Sequence, residues 1–297
     1  MSDSDYESDD NNSDINELNN QICKLNISEN NSKIQQIEEK DFIHCEWYHI
    51  LKELKYDNQS ELVISSNQIK DCKKSWKNSK KSQFEPRLLC KQDSDDERPE
   101  IFKKYGLYII SIKNGLYLLT KYSIYQPLDY TNNNIIFKLN KNTNICVLSI
   151  GNSESSKIDN IRYTGLFETS EYLGEKIIGD KLLSGRHRCT FNTKIKDKEI
   201  SIQGSQYETD AVYESKSKIL LIECKNDKKP DSFNIRQLYY PYRSIYDAIQ
   251  CKKQIIPIFI YAEPKDKKVI HIWKYEFEDP LIMSSITQIN YCKYQII

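Results

Sequence analysis

Two charged residues, Glu223 and Lys225, stand at the end of a short apolar segment in the C-terminal half of the chain, and a third, Asp210, precedes that segment. Twelve residues separate Asp210 from Glu223, and Cys224 separates Glu223 from Lys225. Two carboxylates and a backbone carbonyl, such as that of Cys224, are the hard oxygen ligands that Mg²⁺ prefers, and Mn²⁺ accepts the same set. A metal held there would lower the pKa of an attacking water and neutralise charge on a phosphoryl group. Lys225 beside the metal would orient that water. These residue types therefore indicate metal-assisted phosphoryl hydrolysis.

The segment around these residues predicts how they are positioned. The apolar run at 219–222 is typical of a strand buried on both faces. Side chains two apart on a strand point to one side, so Glu223 and Lys225 share a face and Cys224 points to the other. The polar residues at 214–217 predict the turn of an antiparallel hairpin. We therefore expect Asp210 beside Glu223, with both carboxylates close enough to share one cation.

This arrangement resembles the PD-(D/E)XK nuclease superfamily, with Asp210 as the first acid and Glu223-Cys224-Lys225 as the E-x-K motif. Thr209 stands where many members have proline. The resemblance implies that Asp210 and Glu223 are metal ligands and that Lys225 is the catalytic lysine. It covers about residues 160–280, and the wider sequence is similar to type II restriction endonuclease-like proteins.

The resemblance also implies auxiliary residues. Gln237, near the start of a helix predicted over 232–250, would orient the catalytic lysine or water. Many members carry a glutamate on the first core helix, which we predict over 167–183. Glu168, Glu171 and Glu175 lie three and four apart on one face of that helix, and Glu171 is the predicted auxiliary residue. Arg186 and Arg188 are open to two interpretations, phosphate contacts or plain surface charge.

The elements that must position these residues follow from apolar periodicity. After the helix at 167–183, the patterns predict strands at 188–196, 199–213 and 218–225, then the helix at 232–250 and strands at 255–261 and 269–275. This order predicts an α+β or α/β fold with a mixed sheet and helices packed on it. In the terms of the resemblance, it is the αβββαβ core of a restriction endonuclease, assigned to a nuclease domain at 151–297.

The N-terminal part predicts a smaller α+β domain at 37–150, which includes a connector. A helix over 40–55, a second helix capped by Ser65 or Ser66, a short helix over 98–106 and a hairpin at Asn114-Gly115 follow one another. This is the order of a winged-helix module, a common reader of DNA. The lysines between 73 and 81 are a cationic DNA-binding face in one interpretation and a solvated helix face in the other.

Composition excludes several classes of protein. The 297 residues carry 43 basic and 43 acidic side chains, but the first 31 have a net charge of −7 and the rest +7. Residues 1–36 therefore predict an acidic disordered tail. No apolar run reaches 18 residues and the start is acidic, so we expect a soluble, intracellular protein without a membrane partner. Nine cysteines without a C-x-x-C pair disfavour structural zinc, and the chain has neither a glycine-rich nucleotide loop nor a serine-hydrolase elbow.

Together, these features predict a Mg²⁺-dependent endonuclease that cleaves double-stranded DNA at a specific sequence. Such enzymes commonly act as homodimers, because two strands require two active sites, and a restriction enzyme would be accompanied by a cognate DNA methyltransferase. A non-catalytic DNA-binding or assembly protein that keeps the nuclease fold is the main alternative, although such a protein would be expected to have lost one of the three charged residues. A repair or structure-specific nuclease is the other.

Overall fold

The computed structural model describes residues 45–58, 61–76, 84–131, 136–142, 144–145, 151–183, 185–250, 252–264 and 268–297. The chain divides into two compact units. Both contain helices and strands, which agrees with the predicted α+β class. One unit comprises Met1–Gln92 and Glu97–Ser123, and the other comprises Asp93–Asp96 and Ile124–Ile297. The connector predicted before residue 150 thus falls within the second unit. The predicted acidic tail at 1–36 lies outside the described residues.

In the part of the first unit that the structure describes, four short helices pack against three antiparallel strands in the order β1-β3-β2. Its core is built around the buried Trp47 and Phe102 rings, 4.7 Å apart between centroids. Its elements are α1 Glu46–Glu53, β1 Leu62–Ser65, α2 Ser66–Cys72, α3 Pro86–Leu89, α4 Glu100–Tyr105, β2 Tyr108–Lys113 and β3 Leu116–Thr120.

Local signals predicted most of this unit correctly. Ser65 caps α2 in a capping box, since its hydroxyl accepts from the Gln68 amide while the Gln68 side chain accepts from the Ser65 amide. Gly106 ends α4 in the left-handed conformation, with φ at 60°. The hairpin turns at Asn114-Gly115, where Gly115 also has a positive φ. The strand at β1 was not predicted.

The second unit is built around a six-stranded mixed sheet of order β5-β13-β12-β11-β9-β8. Strands β9 and β11 are parallel, as are β13 and β5, and the remaining neighbours are antiparallel. Its elements are β4 Tyr125–Pro127, β5 Ile136–Leu139, α5 Glu154–Arg162, β6 Gly185–Ile195, β7 Lys198–Thr209, β8 Ala211–Glu214, β9 Lys218–Lys225, β10 Ser232–Asn234, α6 Arg236–Ile249, β11 Gln254–Ala262, β12 Val269–Phe277 and β13 Ile286–Ile296.

Strands β6 and β7 form a long hairpin that leads directly to Asp210. Their pairing runs from Ile195 opposite Lys198 to Gly185 opposite Thr209, with a bulge next to Cys189. One face of the hairpin packs on α6, where the Phe191 ring meets Tyr239 and Tyr240 edge-on. Strand β7 ends at Thr209 and β8 begins at Ala211, so Asp210 is the single residue between them.

The prediction of a helix over 167–183 is wrong. Residues 166–168 form one short 3₁₀ turn, and turns and bends follow up to residue 180. Three glycines in and before this stretch, at positions 165, 174 and 179, have positive φ values that an α-helix does not tolerate. The helix of this region is α5, which begins after the Ser153 cap and ends before the predicted helix would start. Among the described residues, no helix is long and apolar enough to cross a membrane.

Candidate active site

The hairpin of β8 and β9 brings Asp210 and Glu223 together. Ala211 pairs with Ile222 in antiparallel register, so Asp210, the residue before β8, comes next to Glu223. The Asp210 carboxylate accepts a 2.7 Å hydrogen bond from the Cys224 amide. This hydrogen bond fixes the Asp210 side chain on the backbone of the E-x-K motif in β9. The hairpin predicted from the polar turn at 214–217 is present.

Glu223 is the centre of a second set of hydrogen bonds. Its Oε1 accepts from Lys225 Nζ at 2.7 Å and from Gln237 Nε2 at 2.6 Å. Gln237 lies in the first turn of α6, whose buried face packs toward the hairpin of β6 and β7. The structure thus brings together Asp210, Glu223, Lys225 and Gln237, all four from the predicted set.

Burial dominates the electrostatics of this cluster. Glu223 is only 6% exposed, and loss of solvent raises the pKa of its carboxyl to about 8, with Lys225 opposing the rise and Asp210 adding to it. Burial also raises the pKa of Asp210, against the charge of Lys225 and the Cys224 amide. Burial alone would lower the pKa of Lys225, but Glu223 and the acids Asp93 and Glu154 raise it above its ordinary range. Burial therefore favours the protonated form of both acids, while the acidic neighbours of Lys225 favour its charged form.

The donor set fits Mg²⁺. The N–H and C=O of one residue in a strand point toward the same neighbour, so the Cys224 carbonyl faces the side on which Asp210 accepts from its amide. The Cys224 thiol is buried in the core under the sheet, so Cys224 would contribute its backbone oxygen. Two carboxylates and one carbonyl leave room for the waters that Mg²⁺ keeps. No cluster of three His, Cys, Asp or Glu side chains able to hold a metal occurs in the described part of the chain.

One buried atom of the site has no partner. Gln237 Oε1 is inaccessible to solvent and has no hydrogen bond within the described residues, although its Nε2 is bound to Glu223. A buried acceptor without a partner costs stability unless a ligand or water supplies a donor. Gln237 thus provides an acceptor without a partner next to Glu223, suited to a water or ligand that donates a hydrogen bond.

The predicted auxiliary glutamate, Glu171, lies in a different set of contacts. Its Oε1 accepts from Lys274 Nζ and from Asn290 Nδ2, both at 2.9 Å. None of its hydrogen bonds or ion pairs in the described residues involves Asp210, Glu223 or Lys225. Glu171 was predicted because it would share a helical face with Glu168 and Glu175. That face does not exist, because residues 167–183 do not form an α-helix.

A glutamate that the sequence reading missed lies in the site instead. Glu154 is the first residue of α5, and its Oε1 lies 3.9 Å from Lys225 Nζ. A signal for it was present, since Ser153 is a good N-cap and Ile158 and Ile161 are spaced for one buried helical face. Helix α5 therefore places the Glu154 carboxylate beside Lys225.

The sequence matches a domain of unknown function (DUF6997) over residues 120–295. A second domain of unknown function (DUF6996) matches residues 44–119. Searches of the curated proteins and of the solved structures give no match. The residues of the site, from Glu154 to Gln237, all lie within the first match.

Proposed function

This chain belongs to the DUF6997 family, and on the geometry of its site we propose that it is a Mg²⁺-dependent endonuclease that hydrolyses phosphodiester bonds of double-stranded DNA. The observation that carries this proposal is the convergence of Asp210, Glu223 and Lys225 at the end of β9, with Gln237 bound to the same carboxylate oxygen as Lys225. Two acids and a cation around one point are the groups that metal-assisted phosphoryl transfer requires.

Each residue has a distinct part in the proposed chemistry. Asp210, Glu223 and the Cys224 carbonyl would hold Mg²⁺, which would supply Lewis-acid activation of a water and offset charge on the phosphoryl group. Lys225 keeps its proton, because its pKa is raised, so it acts as a fixed donor to the phosphoryl oxygens or the attacking water. Gln237 holds Glu223 through its amide nitrogen and presents its free oxygen to that water.

The order of elements supports the finer proposal of a PD-(D/E)XK core. Helix α5, the strands β6 to β9, the short β10, helix α6 and strand β11 follow one another along the chain. This is the predicted order α-β-β-β-α-β if β8 is counted with β7 and β10 is set aside, although β6 and β7 lie outside the six-stranded sheet that holds β8, β9 and β11. The parallel pairing of β9 and β11 across α6 is the crossover that this order requires. Asp210 and Glu223 then lie at one end of β9, next to the edge strand β8.

The first unit supports a role in recognising DNA. Its strand order β1-β3-β2, with α2 between β1 and the hairpin, is compatible with a winged helix. Lys70, Lys73 and Lys74 are exposed on and just after α2, although Lys74 pairs with Asp71. We infer that this unit selects a DNA sequence and that cleavage of both strands uses a homodimer.

A non-catalytic scaffold is the less favourable alternative for a physical reason. A carboxyl whose pKa is raised by burial destabilises the folded protein once the pH exceeds its ordinary value. A protein that only kept the fold would gain stability from an apolar or amide residue at Glu223. The presence of a destabilising buried carboxyl at Glu223, together with Lys225, favours a catalytic protein over a scaffold.

Incubation of the purified protein with supercoiled plasmid DNA and Mg²⁺ tests the proposal. We expect discrete linear fragments, because a sequence-reading unit restricts cleavage to defined sites. A smear would replace this proposal by a nonspecific or structure-specific nuclease. Intact plasmid in Mg²⁺ and in Mn²⁺, over many sequences, would contradict nuclease activity.

Exchange of Glu154 distinguishes it from Glu171 as the auxiliary residue. We expect Glu154→Gln to lower the cleavage rate about tenfold and to raise the Mg²⁺ concentration needed for half-maximal rate, because Lys225 loses a nearby charge that fixes it. The matched variant Glu171→Gln should stay within about twofold of wild type. Cleavage rates over a Mg²⁺ titration decide this, and melting curves confirm that both variants fold. Equal loss in both variants would contradict the assignment of Glu154.

A further inference from the structure

A short loop exposes three large apolar side chains next to the proposed active site. Ile178 is 58% exposed, Leu182 37% and Leu183 44%. Exposed apolar residues are ordinary when they are scattered, so three large ones on one short loop distinguish this loop from the rest of the surface. These three lie within six residues of one another.

This loop is fixed on the strand that follows Asp210. The Ile178 amide donates to the Glu214 carbonyl at 2.7 Å, and the Leu182 amide donates to the Val212 carbonyl at 2.8 Å. The hydroxyl of Thr209, the residue before Asp210, donates to the Leu183 carbonyl. The loop thus runs along the outer edge of β8 and ends beside the first catalytic acid.

Leu183 has an unusual backbone for its side chain. Its φ is 49°, in the left-handed region that a leucine rarely adopts outside strained sites. The surrounding hydrogen bonds hold a bulky apolar group outward at a place where glycine or asparagine would fit at lower cost. Such strain clusters at functional positions.

We propose that Leu182 and Leu183 insert against the DNA bases next to the cleaved phosphate and unstack them. This inference rests on the proposed nuclease function. A phosphodiester placed at the proposed metal site would bring its neighbouring nucleotides, which rise about 3.4 Å each along the helix axis, against the loop that Thr209 anchors. Apolar side chains that wedge between base steps kink the duplex and open it to the protein.

The residues after the loop have the charge that such a wedge needs. Arg186 and Arg188 are exposed on the first half of β6, directly beyond the leucines. Arg186 pairs with Glu208 at 2.7 Å, an exposed pair that a phosphate can replace. Two arginines beside a wedge would hold the phosphates on one side of the base step while the bases separate. The substrate class is therefore duplex DNA distorted at the cut.

Fluorescent base analogues test this directly. The probe is a duplex oligonucleotide with the site found by plasmid digestion and 2-aminopurine beside the cut, in Ca²⁺ so that it remains intact. We expect wild-type protein to raise the fluorescence severalfold and Leu183→Asn to abolish the rise, because asparagine keeps the left-handed backbone but removes the wedge. Single-turnover cleavage in Mg²⁺ should fall about tenfold in Leu183→Asn, and an unpaired base at the same step should restore it to within about threefold of wild type.

Leu281→Ala is the matched control, since Leu281 is 50% exposed on another loop of the same unit. It should leave both fluorescence and rate unchanged. A Leu182→Ala, Leu183→Asn double variant with wild-type fluorescence and rate would overturn the wedge and leave the nuclease proposal standing. Loss of self-association in these variants, with normal base fluorescence, would assign the loop to protein contact and also overturn it. Absence of cleavage by the wild-type protein on any DNA would overturn both proposals.

Discussion

Exchange of Lys225 for alanine is expected to lower the rate of DNA cleavage by at least about 10³-fold while leaving DNA affinity within about threefold of wild type. Lys225 donates to Glu223 at 2.7 Å and carries a charge that its acidic neighbours stabilise. Its positive charge stabilises the transition state most strongly, because negative charge builds on the phosphoryl group there. One cation among many phosphate contacts contributes little to ground-state binding, so the loss falls on the rate.

Lys218→Ala is the control for this experiment. Lys218 lies at the opposite end of the same strand, β9, and its Nζ donates only weakly, at 3.4 Å, to the Tyr172 carbonyl. Single-turnover rates and binding constants measured on one oligonucleotide separate the two effects. Normal turnover of Lys225→Ala would show that another residue stabilises the transition state. Equal losses in both variants would point to general instability of the strand.

The second large effect is a steep pH dependence of metal binding. Burial raises the pKa of Glu223 to about 8, so its carboxyl is protonated at neutral pH in the metal-free protein. Mg²⁺ requires the carboxylate and must release that proton. We expect Mg²⁺ affinity to rise about tenfold per pH unit up to about pH 8 and to level off above it. Calorimetry in two buffers of different ionisation enthalpy measures both the affinity and the released proton.

Stability of the metal-free protein provides an independent test of the same group. A carboxyl whose folded pKa lies above its unfolded value contributes stability below the unfolded pKa and loses it as the pH rises through the folded value. Relative to Glu223→Gln, the wild-type protein should therefore lose free energy of unfolding between about pH 4.5 and pH 8. A constant difference across this range, or Mg²⁺ affinity that does not change with pH, would contradict the raised pKa.

The parts of the site that the sequence predicted are local. The strand at 218–225 was predicted with its observed bounds, because a continuous apolar run ends in the charged motif. Asp210 and Glu223 are joined by one hairpin, so alternation and a polar turn suffice to place them together. Gln237 follows on the next helix, although β10 occupies the first residues of the region predicted as helix.

The part of the site that was not predicted depends on contacts between residues far apart in sequence. Glu154 reaches Lys225 only because α5 packs on the sheet through Ile158 and Ile161, and its short, polar sequence gives a weak periodic signal. The apolar residues at 166–183 have helix-like spacing, but positive-φ glycines convert that stretch into turns. Strands β5 and β13 also escaped prediction, since β5 pairs with a strand at the far end of the chain.

Plasmid cleavage by wild-type protein and by Asp210→Asn, side by side, tests the central claim most directly. Asparagine preserves the shape of the side chain and its acceptor for the Cys224 amide, but it removes the charge that holds the metal. We expect Mg²⁺-dependent cleavage by the wild-type protein, none in excess EDTA, and a rate at least about 10³-fold lower for Asp210→Asn. Cleavage by Asp210→Asn at the wild-type rate, or no cleavage by folded wild-type protein in Mg²⁺ or Mn²⁺, would contradict a metal-dependent nuclease at this site.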